Sequence, residues 1–165
     1  MISKRKNCDL DKETIIIYNK NNSVKVSYSD LFGELDVYSD QNELIQFLNE
    51  NISLFHKTRR LLFHCIDRSE DLFKIFKGLP NVKSLGISCF NSNVLEFKQI
   101  CSCIQEAYPK LEYFRMDKHS DTIDAPDEFY KLINELKRLK KLNMIGINLN
   151  EDKFKKAIEF HPNIF

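Results

Sequence analysis

The segments VKSLGI (82–87), LEYFRM (111–116) and LKKLNM (139–144) place apolar residues at their first, fourth and sixth positions. Two earlier segments share the spacing, FGELDV (32–37) and TRRLLF (58–63), the latter with Thr58 in the first place. The five units begin at 32, 58, 82, 111 and 139, so successive starts are 24 to 29 residues apart. A recurrence of this length marks a stacked repeat architecture in which each supersecondary unit buries its apolar face against its neighbours. Within a unit the last residues alternate: Leu85 and Ile87 lie on one side of a short strand, and Ser84, Gly86 and Ser88 on the other.

Between the strands the period lengthens. Val94, Phe97, Ile100, Cys101, Ile104 and Tyr108 fall on one face of a helix. So do Phe129, Leu132, Ile133, Leu136 and Leu139, and so do Leu44, Ile45, Leu48 and Ile52. Asn150 is suited to cap a last helix, with Glu151 and Asp152 at its positive end, and Asp124 to cap the helix containing Phe129, with Pro126 in its first turn. Pro80, Pro109 and Pro162 lie shortly before the next strand core, where they end the preceding helix. The fold expected is α/β, with about five strand–helix repeats.

LPNVKSLGI (79–87), YPKLEYFRM (108–116) and LKRLKKLNM (136–144) resemble the strand lead-in of leucine-rich repeats. LNEDKFKKAIEFHPNI (149–164) resembles the helix and following lead-in of the ribonuclease-inhibitor-like class, found in F-box substrate receptors. The resemblance covers about residues 30–165. It implies a solenoid with a parallel sheet on the concave face and helices outside. It also implies substrate or partner recognition, with a link to ubiquitin ligase adaptors, although no F-box segment is present. Where the family often holds Asn or Cys after the strand, this chain has Asp40, Ile66, Phe90, His119 and Ile147.

Residues 1–29 differ. ETIIIYNKNNSVKVSY (13–28) reads as two strands around Asn19-Lys20-Asn21-Asn22, expected to form an N-terminal β cap on the solenoid of 30–165. At the other end HPNIF (161–165) reads as a further lead-in, with Ile164 in the place of Val82, Leu111 and Leu139. That end is expected to be covered by a partner or a second copy, to belong to a shortened array, or to fray where its final strand ends short.

The chain of 165 residues is long enough for one domain with a substantial core, and its 42% apolar and 30% charged fractions are ordinary. A net charge of +1 excludes a global field for nucleic acid or acidic lipid, and four glycines without a phosphate-cradling motif argue against a nucleotide loop. The expectation is no nucleic acid, no membrane and no cofactor. Basic runs at Lys137, Arg138, Lys140, Lys141 and at Lys153, Lys155, Lys156 read as solvated faces, or as an anion or phosphoprotein contact. Five scattered cysteines and a basic start without an apolar signal stretch point to the cytoplasm, or the nucleus.

Three groups could carry chemistry. His64 and Cys65 are adjacent, and neighbouring strand residues face opposite ways. Cys101 and Cys103 on a helix point about 200° apart, poor geometry for one metal. Asp117, His119, Asp121 and Asp124 cluster in a turn-rich segment that reads as a loop more readily than as a hydrolytic site. The better candidate is the concave strand face: Asp36, Arg60, His64, Tyr113, Arg115, Asp117, Lys141 and Asn143, with Glu34, Ser84 and Ser88 beside them. Tyr and Arg are the residue types that anchor protein interfaces. A non-enzymatic module for protein partners is therefore expected, or alternatively a structural subunit packing through its C-terminal end as a homo-oligomer or on a partner.

Overall fold

The computed structural model describes residues 14–20, 23–27, 35–38, 41–64, 72–88, 93–118, 121–161 and 164. The elements in chain order are β1 (Thr14–Lys20), β2 (Ser23–Ser27), β3 (Leu35–Tyr38), α1 (Gln41–Glu50), a 3-10 turn (Ile52–Phe55), β4 (Arg60–His64), α2 (Leu72–Gly78), β5 (Ser84–Ser88) and α3 (Val94–Ala107). They continue with β6 (Tyr113–Asp117), β7 (Ile123–Asp124), α4 (Asp127–Glu135), β8 (Lys141–Ile145), β9 (Ile147–Asn148) and α5 (Glu151–Ile158).

Seven strands form one sheet in the order β3-β2-β1-β4-β5-β6-β8. The five strands β1, β4, β5, β6 and β8 run parallel in unbroken register. β2 and β3 extend the β1 edge as antiparallel strands. The helices follow in the same order, each packed against the next from α1 to α5. The protein is thus an α/β fold in which a five-stranded parallel sheet alternates with helices.

Alternation along the strands builds the core. The row Ile15, Leu61, Leu85, Phe114, Leu142 and the row Ile17, Phe63, Ile87, Met116, Met144 run across the parallel strands. All are buried except Leu142 and Met144, which are partly covered at the β8 edge. Against these rows pack Phe97, Ile100, Cys101 and Ile104 of α3 and Phe129, Leu132 and Ile133 of α4. The high phenylalanine content goes into this layer, where Phe76 lies 4.9 Å from the Tyr108 ring and 5.9 Å from that of Phe63. The buried Tyr108 hydroxyl donates to the Phe76 carbonyl at 3.3 Å, and burial pushes its pKa well above the ordinary tyrosine range.

The repeat also appears in the hydrogen bonds. Thr58, Leu111, Leu139 and Ile164 each donate a backbone N–H to the carbonyl three residues earlier, at Phe55, Tyr108, Leu136 and His161. The carbonyls of Arg59, Lys83 and Glu112 each accept two N–H groups from the next unit, 83 and 84, 112 and 113, and 140 and 141. Thr58, polar by type, is buried in the apolar place of Val82, Leu111 and Leu139.

Two expectations are corrected. The first parallel strand is not at 35–37: β1, from the segment assigned to the cap, pairs with β4, while β3 lies antiparallel at the sheet edge. The hairpin read around Asn19–Asn22 forms as β1 and β2, and this tight antiparallel pair puts β2, rather than β3, beside β1. Asp124 does not cap α4; it lies in β7, its Oδ1 accepting from Asn148 Nδ2 at 3.0 Å, and Pro126 holds the cap position. Asn150 does cap α5, its side chain accepting from the Lys153 N–H at 3.0 Å.

Candidate functional site

The sheet face opposite the helices carries three further rows in strict register. They are Thr14–Arg60–Ser84–Tyr113–Lys141, Ile16–Leu62–Gly86–Arg115–Asn143 and Tyr18–His64–Ser88–Asp117–Ile145. Parallel strands lie about 4.8 Å apart and alternate residues about 6.6 Å apart, so the rows tile a rigid surface of roughly 19 by 13 Å. Of the eight candidate partner-binding residues, Arg60, His64, Tyr113, Arg115, Asp117, Lys141 and Asn143 fall on these rows. Position 36 does not: it pairs with Val26, and Val26 with Ile17, which places it in line with the buried rows. The side chains of β3 lie outside the described residues. Glu34 lies outside the described residues.

Tyr113, fourth of the five residues in the first row, is 43% exposed, a large apolar ring on a polar face. Next to it, Arg115 is 55% exposed and Asp117 only 1%. Arg115 Nε donates to Asp117 Oδ2 at 2.8 Å and Nη2 reaches the same oxygen at 2.5 Å. Hydrogen bonding and charge from Asp117 hold the guanidinium proton more tightly than usual. Asp117 Oδ1 is buried with no hydrogen-bond partner among the described residues. Arg115 therefore stands fixed rather than free to sample rotamers, which lowers the entropy lost when a partner engages it.

In the third row His64 Nδ1 and Ser88 Oγ are hydrogen-bonded, and the Ser88 hydroxyl also donates to the Phe63 carbonyl at 3.3 Å. A histidine protonated on Nδ1 satisfies both contacts, as a donor to a hydroxyl whose own proton is used. The pair ties β4 to β5. In the middle row the Leu62 side chain leans over Gly86, where an added Cβ would lie 2.4 Å from Leu62 Cδ2.

Just ahead of the strands a second polar line forms. Glu112 Oε2 accepts from Lys140 Nζ at 2.6 Å and Glu112 Oε1 pairs with Lys83 Nζ at 3.0 Å. These three residues hold equivalent repeat positions, so register alone stacks them. The hydrogen bonds from Lys140 and then Lys83 hold the Glu112 carboxyl below its ordinary range.

Among the described side chains of the open face, Arg60, Arg115 and Lys141 are cationic and Asp117, paired with Arg115, is anionic. The sequence reading placed both signs there and missed three local features: the His64–Ser88 contact, the Leu62 cover on Gly86 and the Glu112 ladder. Each joins residues at matching places in successive units, and the spacing is the signal that could have found them.

The other sequence candidates are not brought together. Cys101 is buried in the α3 core with its thiol acidity strongly suppressed by that burial, and Cys103 lies half-buried. Cys65 and His119 lie outside the described residues. Asp117 turns to Arg115, Asp124 to Asn148, and Asp121 is exposed. No group of three or more His, Cys, Asp or Glu residues suited to a metal occurs among the described residues. No helix among them is long and apolar enough to cross a membrane.

No family model matches the chain, and no curated protein or solved structure matches it.

Proposed function

We propose that this chain is a small leucine-rich-repeat-type solenoid acting as a non-enzymatic protein-recognition module, with the open sheet face as its binding surface. The observation that carries the reading is the Tyr113–Arg115 pair: an exposed ring and a carboxylate-anchored guanidinium in adjacent rows of five parallel strands. The one-to-one alternation of strands and helices supports the solenoid. Strands pack about 4.8 Å apart and helices 8–10 Å apart, so layers in matching order curve with the sheet inside. The cations Arg60, Arg115 and Lys141 favour a partner segment bearing acidic side chains, since complementary charge speeds encounter and rejects like-charged competitors. Substrate recognition for a ubiquitin ligase is the role the repeat resemblance suggests, with any F-box contributed by another chain.

The test is affinity capture from host lysate, comparing the native chain with Tyr113→Ala/Arg115→Ala after both are shown to be folded. Proteins retained by the native chain and lost by the variant support the open face. Identical retention by both refutes it.

A second reading rests on the β8–α5 unit. Leu142 and Met144 are only partly buried, whereas their counterparts Leu85, Ile87, Phe114 and Met116 are covered, and Ile164 is partly buried where Val82, Leu111 and Leu139 are buried. A structural subunit that packs on a partner or a second copy through this end accounts for that difference. Sedimentation equilibrium separates the readings, because the second requires association and the first does not.

A further inference from the structure

A separate concavity of about 240 Å³ lies off the sheet face, where the turn after α4 meets the end of α5. Its apolar wall is Leu139 and Phe160, backed by His161, and its charged lining is Lys137, Arg138, Lys140 and Glu112. Repeat geometry assembles it. Residues 137–140 bridge α4 to β8, with the Lys140 N–H held by the Glu112 carbonyl at 2.8 Å, and the His161 N–H is held by Ile158 at 2.8 Å.

Its charges are unbalanced. Glu112 is engaged by Lys140 at 2.6 Å and Lys83 at 3.0 Å, so its single charge is already shared. Lys137 and Arg138 have no carboxylate partner among the described residues; Lys137 Nζ instead lies 5.5 Å from the centre of the Phe160 ring. The lining carries three cations against one carboxylate. Phe160, 68% exposed, presents its ring at the rim. Beneath, the buried His161 Nε2 has no hydrogen-bond partner among the described residues, and such atoms are uncommon in folded interiors.

We propose that this pocket binds a phosphate monoester carried on an apolar or aromatic body. A doubly negative phosphate matches the net charge of the lining. The Arg138 fork suits two phosphate oxygens at once, and Lys137 and Lys140 act as point charges. The concavity is larger than a bare phosphate fills, and Leu139 and Phe160 line the remainder. A small phosphorylated metabolite and a phosphorylated tyrosine side chain share this chemistry. The site is independent of the open-face binding reading.

The experiment is titration of the full chain with phenyl phosphate, inorganic phosphate and phenol, followed by saturation-transfer NMR. Phenyl phosphate is expected to bind saturably and more tightly than either fragment. Lys137→Gln/Arg138→Gln, both exposed positions, is expected to lose about tenfold or more in affinity, the scale of lost charge-assisted hydrogen bonds. A phosphotyrosine peptide that binds more tightly than phenyl phosphate assigns the source to a protein; equal binding assigns it to a small molecule. The proposal is overturned if phenyl phosphate does not saturate, if inorganic phosphate binds equally well, or if the double variant binds as the native chain does.

Discussion

Gly146→Ala is expected to destabilise the protein by about 3–4 kcal/mol, and the figure follows from three distances. Gly146 has φ +70° in the link from β8 to β9, a left-handed conformation that costs other residues about 1–2 kcal/mol. A Cβ there would lie 2.2 Å from the Lys118 carbonyl oxygen, more than 1 Å inside ordinary contact. Withdrawal by about 1 Å would break the hydrogen bonds Lys118 N–H to Ile145 O (2.9 Å) and Ile123 N–H to Gly146 O (3.1 Å), at roughly 1 kcal/mol each. For a chain of this size the midpoint of thermal unfolding should fall by about 6–16 °C. Urea unfolding followed by circular dichroism measures it. Gly146→Asn separates the two causes: asparagine tolerates positive φ, but its Cβ meets the same carbonyl, so it should still cost about 2 kcal/mol, the part that comes from the two hydrogen bonds. A loss below about 1 kcal/mol for Ala, or full recovery of native stability with Asn, would refute the steric argument.

Arg115→Ala leaves the buried Asp117 carboxylate without its cation and should cost about 1–2 kcal/mol, discounted because the guanidinium is half-exposed. Adding Asp117→Asn should recover part of that loss in the same urea assay; no recovery would show that the ion pair is not the cause. The lowered pKa of Glu112 makes its ionised form a stabilising one above the ordinary glutamate value near pH 4.3, and that contribution disappears as pH falls through the lower folded value. Glu112→Gln should therefore be less stable at pH 7 yet show a shallower fall below pH 4.3, measured as unfolding free energy against pH. Asn150→Ala removes the acceptor for the Lys153 N–H and should cost about 1 kcal/mol, with faster hydrogen exchange confined to the first turn of α5.

The parallel core was legible because its signals are local. Leu85 and Ile87, Phe114 and Met116 alternate with polar neighbours, and Phe97, Ile100, Cys101 and Ile104 recur at helical spacing, so strand, helix and buried side can each be read within one unit. The open-face rows follow once the units are aligned in register, which is how Arg60, Tyr113, Arg115, Lys141 and Asn143 could be placed together. What alignment does not supply is the depth of each site. Tyr113 and Asp117 occupy alternate positions on one strand, yet the first is exposed and the second nearly inaccessible. The link made by Gly146, whose carbonyl accepts from Ile123 and whose backbone approaches Lys118, closes over that end of the sheet, and a two-residue pairing such as β7 with β9 has no periodic signature.

The misplacement of β3 has a different origin. FGELDV carries the same apolar spacing as the true repeat strands, and nothing within those six residues distinguishes parallel pairing beside β4 from antiparallel pairing beside β2. The decision is made elsewhere, by β1. Its run Ile15-Ile16-Ile17 supplies two buried positions, Ile15 and Ile17, in line with Leu61 and Phe63 and completes the apolar rows as the repeat would. With β1 there, β2 follows by a short turn, and β3 is left to extend the edge. In the register that results, position 36 lies opposite Val26, and Val26 opposite Ile17.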